Sequence, residues 1–84
     1  MGRDDALIQA FADELRARRK ARQLSQEELA HRANVNRTYI AKLELAQNQP
    51  TLTVLYGLAS ALNQELPDII EETLRRYRHA TEAH

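Results

Sequence analysis

The chain is 84 residues long, 43% hydrophobic and 29% charged, the size and balance of one small soluble globular domain rather than a disordered or membrane protein. No apolar run approaches the ~18 residues of a membrane span, and nothing at the start reads as a signal peptide. An Ala at position 6 removes the myristoylation pattern from Met1-Gly2, and zero cysteines exclude disulfides and thiolate zinc sites and fit a cytoplasmic protein. The net charge of zero conceals a polarity. Residues 16–42 carry eight basic and two acidic residues, a local +6, and the remainder carries the balancing −6. Such a basic block is an electrostatic footprint for phosphates, while the acidic remainder disfavours docking by the wrong face.

Residues 1–4 are expected to fray, with Asp4 or Asp5 capping a first helix that runs to about Arg22. Ile8, Phe11, Ala12, Leu15, Arg19 and Arg22 fall on one stripe of that helix. Asp13 and Glu14 precede Arg16, Arg18 and Arg19 at the spacing of helical charge pairs. Arg16 and Arg18 read equally well as a solvated face and as cations for phosphates. A second helix is predicted to start at Gln26, because Ser25 is a good N-cap and Glu28 completes a capping box. Leu29, Ala30 and Ala33 form its inner face. Asn34 stands at a sharp turn, where Asn tolerates the left-handed region. Val35 then returns to the core, and Asn36 caps a third helix over 37–45. Ile40 and Leu43 face inward on it; Arg37, Thr38, Ala41 and Lys42 face out. An outer side of Asn, Arg, Thr and Lys suits the major groove of DNA.

Gln47-Asn48-Gln49-Pro50 reads as a polar loop, since Pro50 cannot lie inside a helix and disfavours a helical Gln49. It is either a connector or a contact to the sugar-phosphate backbone. Leu52 is expected to anchor the next turn, and Thr53 to cap a fourth helix over 54–62. Leu55, Leu58, Ala59 and Leu62 are its inner stripe, Tyr56 lies off the stripe, and Asn63 suits its end. A fifth helix is predicted from about Pro67 to 78, with Asp68, Glu71 and Glu72 early and Arg75, Arg76 and Arg78 late, matching its dipole. Leu66, Ile69, Ile70, Leu74 and Tyr77 make a stripe too wide for the small body alone. We place Leu66 and Ile69 or Ile70 inward and give Leu74 and Tyr77, with Ile70 and Tyr56, to a second subunit; closure of the core by the whole stripe is the alternative. Residues 79–84 are expected to form a disordered tail. The outcome is an all-α chain, one domain over 1–84 with its core at about 5–66.

Leu24-Ser25-Gln26, Leu29-Ala30, Val35, Ile40 and Leu43-Glu44 stand in register with the pattern L-[ST]-Q-x-x-L-A, a turn, V-[ST] and I-x-x-[IL]-E. The match continues through Pro50-Thr51-Leu52 and Leu55 to Ala59 and Leu62. On these residues the segment from about Phe11 to Leu66 resembles the helix-turn-helix family of the lambda and 434 repressors and Cro, the xenobiotic response element family. The resemblance implies a compact five-helix, lambda-repressor-like domain with the helix-turn-helix in helices two and three. It implies that Arg19 pairs with Glu44, a structural tie between the first helix and the recognition helix. It also implies that Gln26 contacts a backbone phosphate, in keeping with the free amides of a helix N-terminus. Asn34 and Ala46 stand where the family commonly has Gly, and Ala46 suggests that the third helix runs on toward Asn48.

The expected partner is double-stranded DNA, with no membrane, cofactor, metal or small-molecule ligand. Gln26, Arg22, Tyr39 and Arg18 are the candidates for phosphates, with Arg32 as a further cation. Arg37, Thr38, Lys42 and Asn36 are the candidates for bases. Arg37 can make parallel bonds to guanine O6 and N7, and Thr38 can meet a thymine methyl. Asn36 is first of all a cap, and Tyr39 either packs on the DNA backbone or covers the core edge. One recognition helix reads too few base pairs to choose a genomic site, so a homodimer on a pseudo-palindromic operator is expected, joined by helices four and five. The expected function is a DNA-binding transcriptional regulator. The alternative is an antitoxin-type or other protein-interaction subunit with DNA binding secondary. An enzyme is not expected: Ser25 and Ser60 sit at a cap and on a helix surface, and His31, His79 and His84 lack metal-ligand spacing.

Overall fold

Side-chain caps set where the helices begin. The Leu7 amide donates to the Asp4 carboxylate at 3.1 Å and opens α1, Asp5–Ala21. Ser25 and Glu28 exchange both bonds of a capping box and open α2, Gln26–Ala33. The Tyr39 amide donates to Asn36 Oδ1 at 2.8 Å and opens α3, Arg37–Glu44. Thr51 Oγ1 accepts from the Val54 amide at 3.1 Å and opens α4, Leu52–Ala61. The last helix, α5, spans Leu66–Glu82. The computed structural model describes residues 2–82, and among them there are five helices and no strand.

The connections are tight because non-glycine residues accept left-handed backbone: Gln23, Asn34, Ala46 and Asn63 have φ of 58, 59, 59 and 55°. Asn34 and Asn63 turn as their side chains allow. Ala46 is a correction, since α3 does not run on toward Asn48. The Ala46 amide bonds the Leu43 carbonyl at 3.1 Å and the Gln47 amide bonds the Lys42 carbonyl at 2.9 Å, the closed end that glycine usually makes. Alanine carries a Cβ penalty in this region, partly offset by the freedom glycine loses on folding. Ala46→Gly is therefore expected to stabilise the fold by about 0.5–1 kcal/mol, seen as a higher denaturant midpoint at unchanged slope. A lower midpoint would mean that the Ala46 methyl packs usefully.

The core gathers Phe11 and Leu15 from α1, Leu29 and Ala30 from α2, Ile40 and Leu43 from α3, Leu58 from α4 and Leu62 capping its end, and Ile69 from α5. Ala33, Val35, Tyr39, Leu55 and Leu66 pack at its margin. The α1 stripe ends at Arg19, and Arg22 is exposed. The expectation for α4 also needs correction. Thr51, held extended just after Pro50, is the first hydroxyl able to cap, so the helix starts two residues before the predicted position. Leu52 thereby becomes an outward first-turn residue, 76% exposed, instead of an anchor.

Helix α5 packs more extensively on α1 than any other pair of helices does. The expected disordered tail is corrected over 79–82, which are helical; residues 83 and 84 lie outside the described chain. The Tyr77 hydroxyl donates to Asp4 at 2.7 Å, tying this part of α5 to the start of α1. That bond, with the Leu7 and Ala6 amides, holds the Asp4 carboxyl below its ordinary value. Fraying at residues 1–4 is likewise corrected for Arg3 and Asp4, both of which are engaged; Met1 lies outside the described residues. Deeper in, the buried Glu14 carboxylate accepts from Arg18 and, at 2.8 Å, from Arg76. Burial pushes this carboxyl up, but the bonds from Arg76 and Arg18 outweigh it and hold Glu14 below its usual range. The α5 stripe divides: Ile69 and Thr73 are buried, Leu66, Ile70 and Tyr77 half-buried, and Leu74 exposed.

Candidate nucleic-acid interface

Three elements meet at Glu44. Arg19, in the last turn of α1, lays its guanidinium along the carboxylate, with Nε to Oε2 at 2.6 Å and Nη2 to Oε1 at 2.9 Å. Its remaining Nη1 donates to the Leu24 carbonyl at 2.9 Å, just before α2. Gln26 Nε2, in the first turn of α2, donates to Glu44 Oε1 at 3.1 Å. The Arg19 and Glu44 side chains are only 11% and 3% exposed. The bonds to Glu44 raise the Arg19 pKa against the opposing effect of burial. A two-pronged pair of this kind is directional, so it fixes the angle as well as the distance between α1 and α3.

With its inner face on the core, α3 turns Asn36, Arg37, Thr38 and Lys42 outward, all exposed. Among the described residues, Arg37, Thr38 and Lys42 make no side-chain hydrogen bond, and Asn36 uses only its oxygen, on the cap. These are free donors on a rigid helix, the equipment for reading base edges. Arg22 and Arg32 are exposed as well, and Gln26 is half-buried beside Glu44. Tyr39 is half-buried, its ring packed against the core cluster.

Arg18 does not belong with this group. It bonds Glu14, the Gln64 side chain at 2.6 Å and the Asp68 carbonyl at 3.4 Å, which commits it to the α4–α5 connection. A phosphate would have to break that set, so Arg18 leaves the list of phosphate candidates. Arg16 is also engaged, to Asp13 at 2.8 Å and to the Glu44 carbonyl at 2.9 Å. Arg3 donates to the Ala46 carbonyl at 2.9 Å and the Gln47 carbonyl at 3.4 Å. Sequence reasoning missed both of these carbonyl contacts. The Asp13–Arg16 spacing hinted at an ordered Arg16, but nothing local marks an arginine that reaches 43 positions along the chain.

Of the residues assigned to a second subunit, Ile70 and Leu74 share a cleft, while Tyr56 lines a different one beside Asn63 and Leu66. Tyr56 is 68% exposed and Leu74 37% exposed, and Ile70 lies beside Leu74 on a cleft of about 190 Å³ with Phe11, Pro50 and Leu55. Tyr77 is half-buried and its hydroxyl is engaged by Asp4 of its own chain. Among the described residues no cluster of His, Asp and Glu could hold a metal ion, and no helix is long and apolar enough to cross a membrane.

Comparison with known proteins agrees with this geometry. A family profile described as Helix-turn-helix matches residues 15–69. The chain is similar to the immunity repressor protein of Bacillus phage phi105, 39% identical over 67 residues, which are 79% of this chain and 46% of that protein. It is also similar to the control protein C.SmaI of Serratia marcescens, 38% identical over 60 residues, 71% of each chain. The chain thus spans under half the length of the phage protein and most of the control protein. Among solved structures, the restriction-modification controller protein C.AhdI from Aeromonas hydrophila superposes with a TM-score of 0.72 at 34% identity, covering 74% of this chain and 94% of that one.

Proposed function

The chain belongs to the helix-turn-helix family, of the Cro/C1 type, and on that premise we propose that it is a sequence-specific regulator of transcription that binds double-stranded DNA as a homodimer in the cytoplasm. The observation that carries this is the outer face of α3. Arg37, Thr38 and Lys42 stand exposed and unengaged on a helix whose far end is locked by the buried Arg19–Glu44 pair. Such a helix loses little freedom on entering a major groove, so its donors can favour one base sequence over another. In this reading Arg37 takes a guanine through O6 and N7, Thr38 meets a thymine methyl, and Lys42 reaches a further guanine or a phosphate. Asn36 offers its amide while its oxygen stays on the cap. Gln26 and the free amides of α2 receive a phosphate, with Arg22 adding charge. The names of the relatives, a repressor and controllers, support a regulatory role. We assign the chain no catalysis; Ser25 is already occupied as a cap.

The test is selection of bound sites from a random duplex library, followed by Arg37→Ala. The variant is expected to lose ~1–3 kcal/mol on the selected site and to relax base choice at one position. Equal weakening on every duplex would make Arg37 a phosphate contact. A native chain that enriches no sequence would sink the regulator reading.

A further inference from the structure

The C-terminal end of α3 is gripped by more than the Arg19–Glu44 pair. Arg16 donates to the Glu44 main-chain carbonyl at 2.9 Å and is itself steadied by Asp13 at 2.8 Å. Arg3 donates to the carbonyls of Ala46 and Gln47 at 2.9 and 3.4 Å and is steadied by Asp5 at 2.9 Å. The Glu44 carbonyl, at the helix end, is left without an intrahelical partner and carries a partial negative charge, so the Arg16 guanidinium meets both demands, while Arg3 holds two loop carbonyls just beyond it. The grip also covers Ala46, whose backbone is left-handed, a region that few residues other than Gly, Asn and Asp adopt routinely. The α3–α4 loop that follows holds Gln47, Asn48 and Gln49, so its path is set from the same point.

We infer that Arg3 and Arg16 are positioning residues for base recognition, a clamp of main-chain carbonyls that fixes the tilt of α3 and the path of its following loop. This rests on the DNA-binding reading above and adds two specificity residues that touch no base. Because α3 is only 8 residues long, a shift at its Glu44 end is carried by a stiff rod to Arg37 at the other. A hydrogen bond from Arg37 to a guanine edge tolerates little of that movement, whereas a phosphate contact tolerates more. The clamp therefore acts on preference and leaves non-specific attachment in place. Asp13 and Asp5 belong to it too, since each bonds the arginine that makes the carbonyl contact.

The experiment compares the native chain with Arg3→Ala, Arg16→Ala and Arg16→Lys, well below their melting temperatures, with the active fraction counted by stoichiometric titration. Each is bound to the duplex selected by the native chain and to a scrambled duplex across a salt series. The clamp is expected to show as a loss of about tenfold in the ratio of selected to scrambled affinity, the size of one good base contact, with the salt slope unchanged. Arg16→Lys keeps the charge but cannot hold Asp13 and the Glu44 carbonyl with the same fork, and it is expected to rescue little. Amide exchange without DNA is expected to quicken at residues 45–48 in the alanine variants. Parallel weakening on both duplexes with a slope shallower by about one would make these arginines phosphate contacts and overturn the clamp. An unchanged preference, or unchanged exchange at 45–48, would overturn it too. If the native chain selects no duplex, the DNA-binding reading falls with it; if the native chain selects and the variants keep its preference, only the clamp falls.

Discussion

Arg19→Ala is expected to destabilise the fold by about 3 kcal/mol or more, which in a domain of this size lowers the melting temperature by at least about 10 °C. The magnitude follows from what is left behind. The Glu44 carboxylate, 3% exposed, would keep a single bond from Gln26, and the Leu24 carbonyl would lose its Arg19 donor. A buried charge stripped of its counter-ion costs far more than the pair itself contributes, because desolvation remains while attraction is gone. The double variant Arg19→Met with Glu44→Leu is accordingly expected to recover most of the loss, as both charges leave together. Thermal unfolding of the single and double variants checks this. A single variant that melts with the native chain would show the pair to be dispensable.

Leu74→Glu is expected to give a monomer in sedimentation and to weaken binding to the selected duplex by about two orders of magnitude. Leu74 is 37% exposed beside Ile70 on the apolar cleft of α5, so a carboxylate there is tolerated by the isolated chain. Across a two-fold axis the same carboxylate would face its own copy, close to Glu71, and like charges at a desolvated contact repel. Operator affinity suffers because two linked reading heads bind as one event, and separating them forfeits an effective concentration worth about 10²–10⁴. Non-specific attachment of each monomer is expected to fall much less. A variant that remains dimeric would move the interface off α5.

Much of this molecule could be read from neighbours in sequence. Ser25 with Glu28, Asn34 and Asn36 each act over three residues or fewer, so the type of residue names the turn it makes. The apolar stripe of α1 was equally legible as far as Arg19. Errors arose where distant contacts decide. Ala46 has the intrinsic preference of a helix interior, yet the backbone closes through it in the left-handed region, with Arg3 reaching its carbonyl from far along the chain. Thr51 and Thr53 are both plausible caps, and only the extended approach from Pro50 chooses between them. Arg18 looked like one more cation in a basic run; beside Glu14, its partners Gln64 and Asp68 lie nearly fifty positions away. The expected phosphate set lost it for that reason. The outward residues Arg37, Thr38 and Lys42 were legible because exposure on a short amphipathic helix follows from its period alone.

Glu14 reaches Arg76 across 62 positions, within the most extensive helix pair of the fold. Contacts between such remote segments close the longest loops, and their entropic cost is met only when both ends are present. During synthesis, α2, the Asn34 turn and α3 leave the ribosome well before Arg76 does. The helix-turn-helix can therefore assemble as a local hairpin while one flank of Phe11 and Leu15 is still bare. That interval is when the nascent polypeptide is open to chaperones and to misassociation, and the arrival of the closing helix ends it.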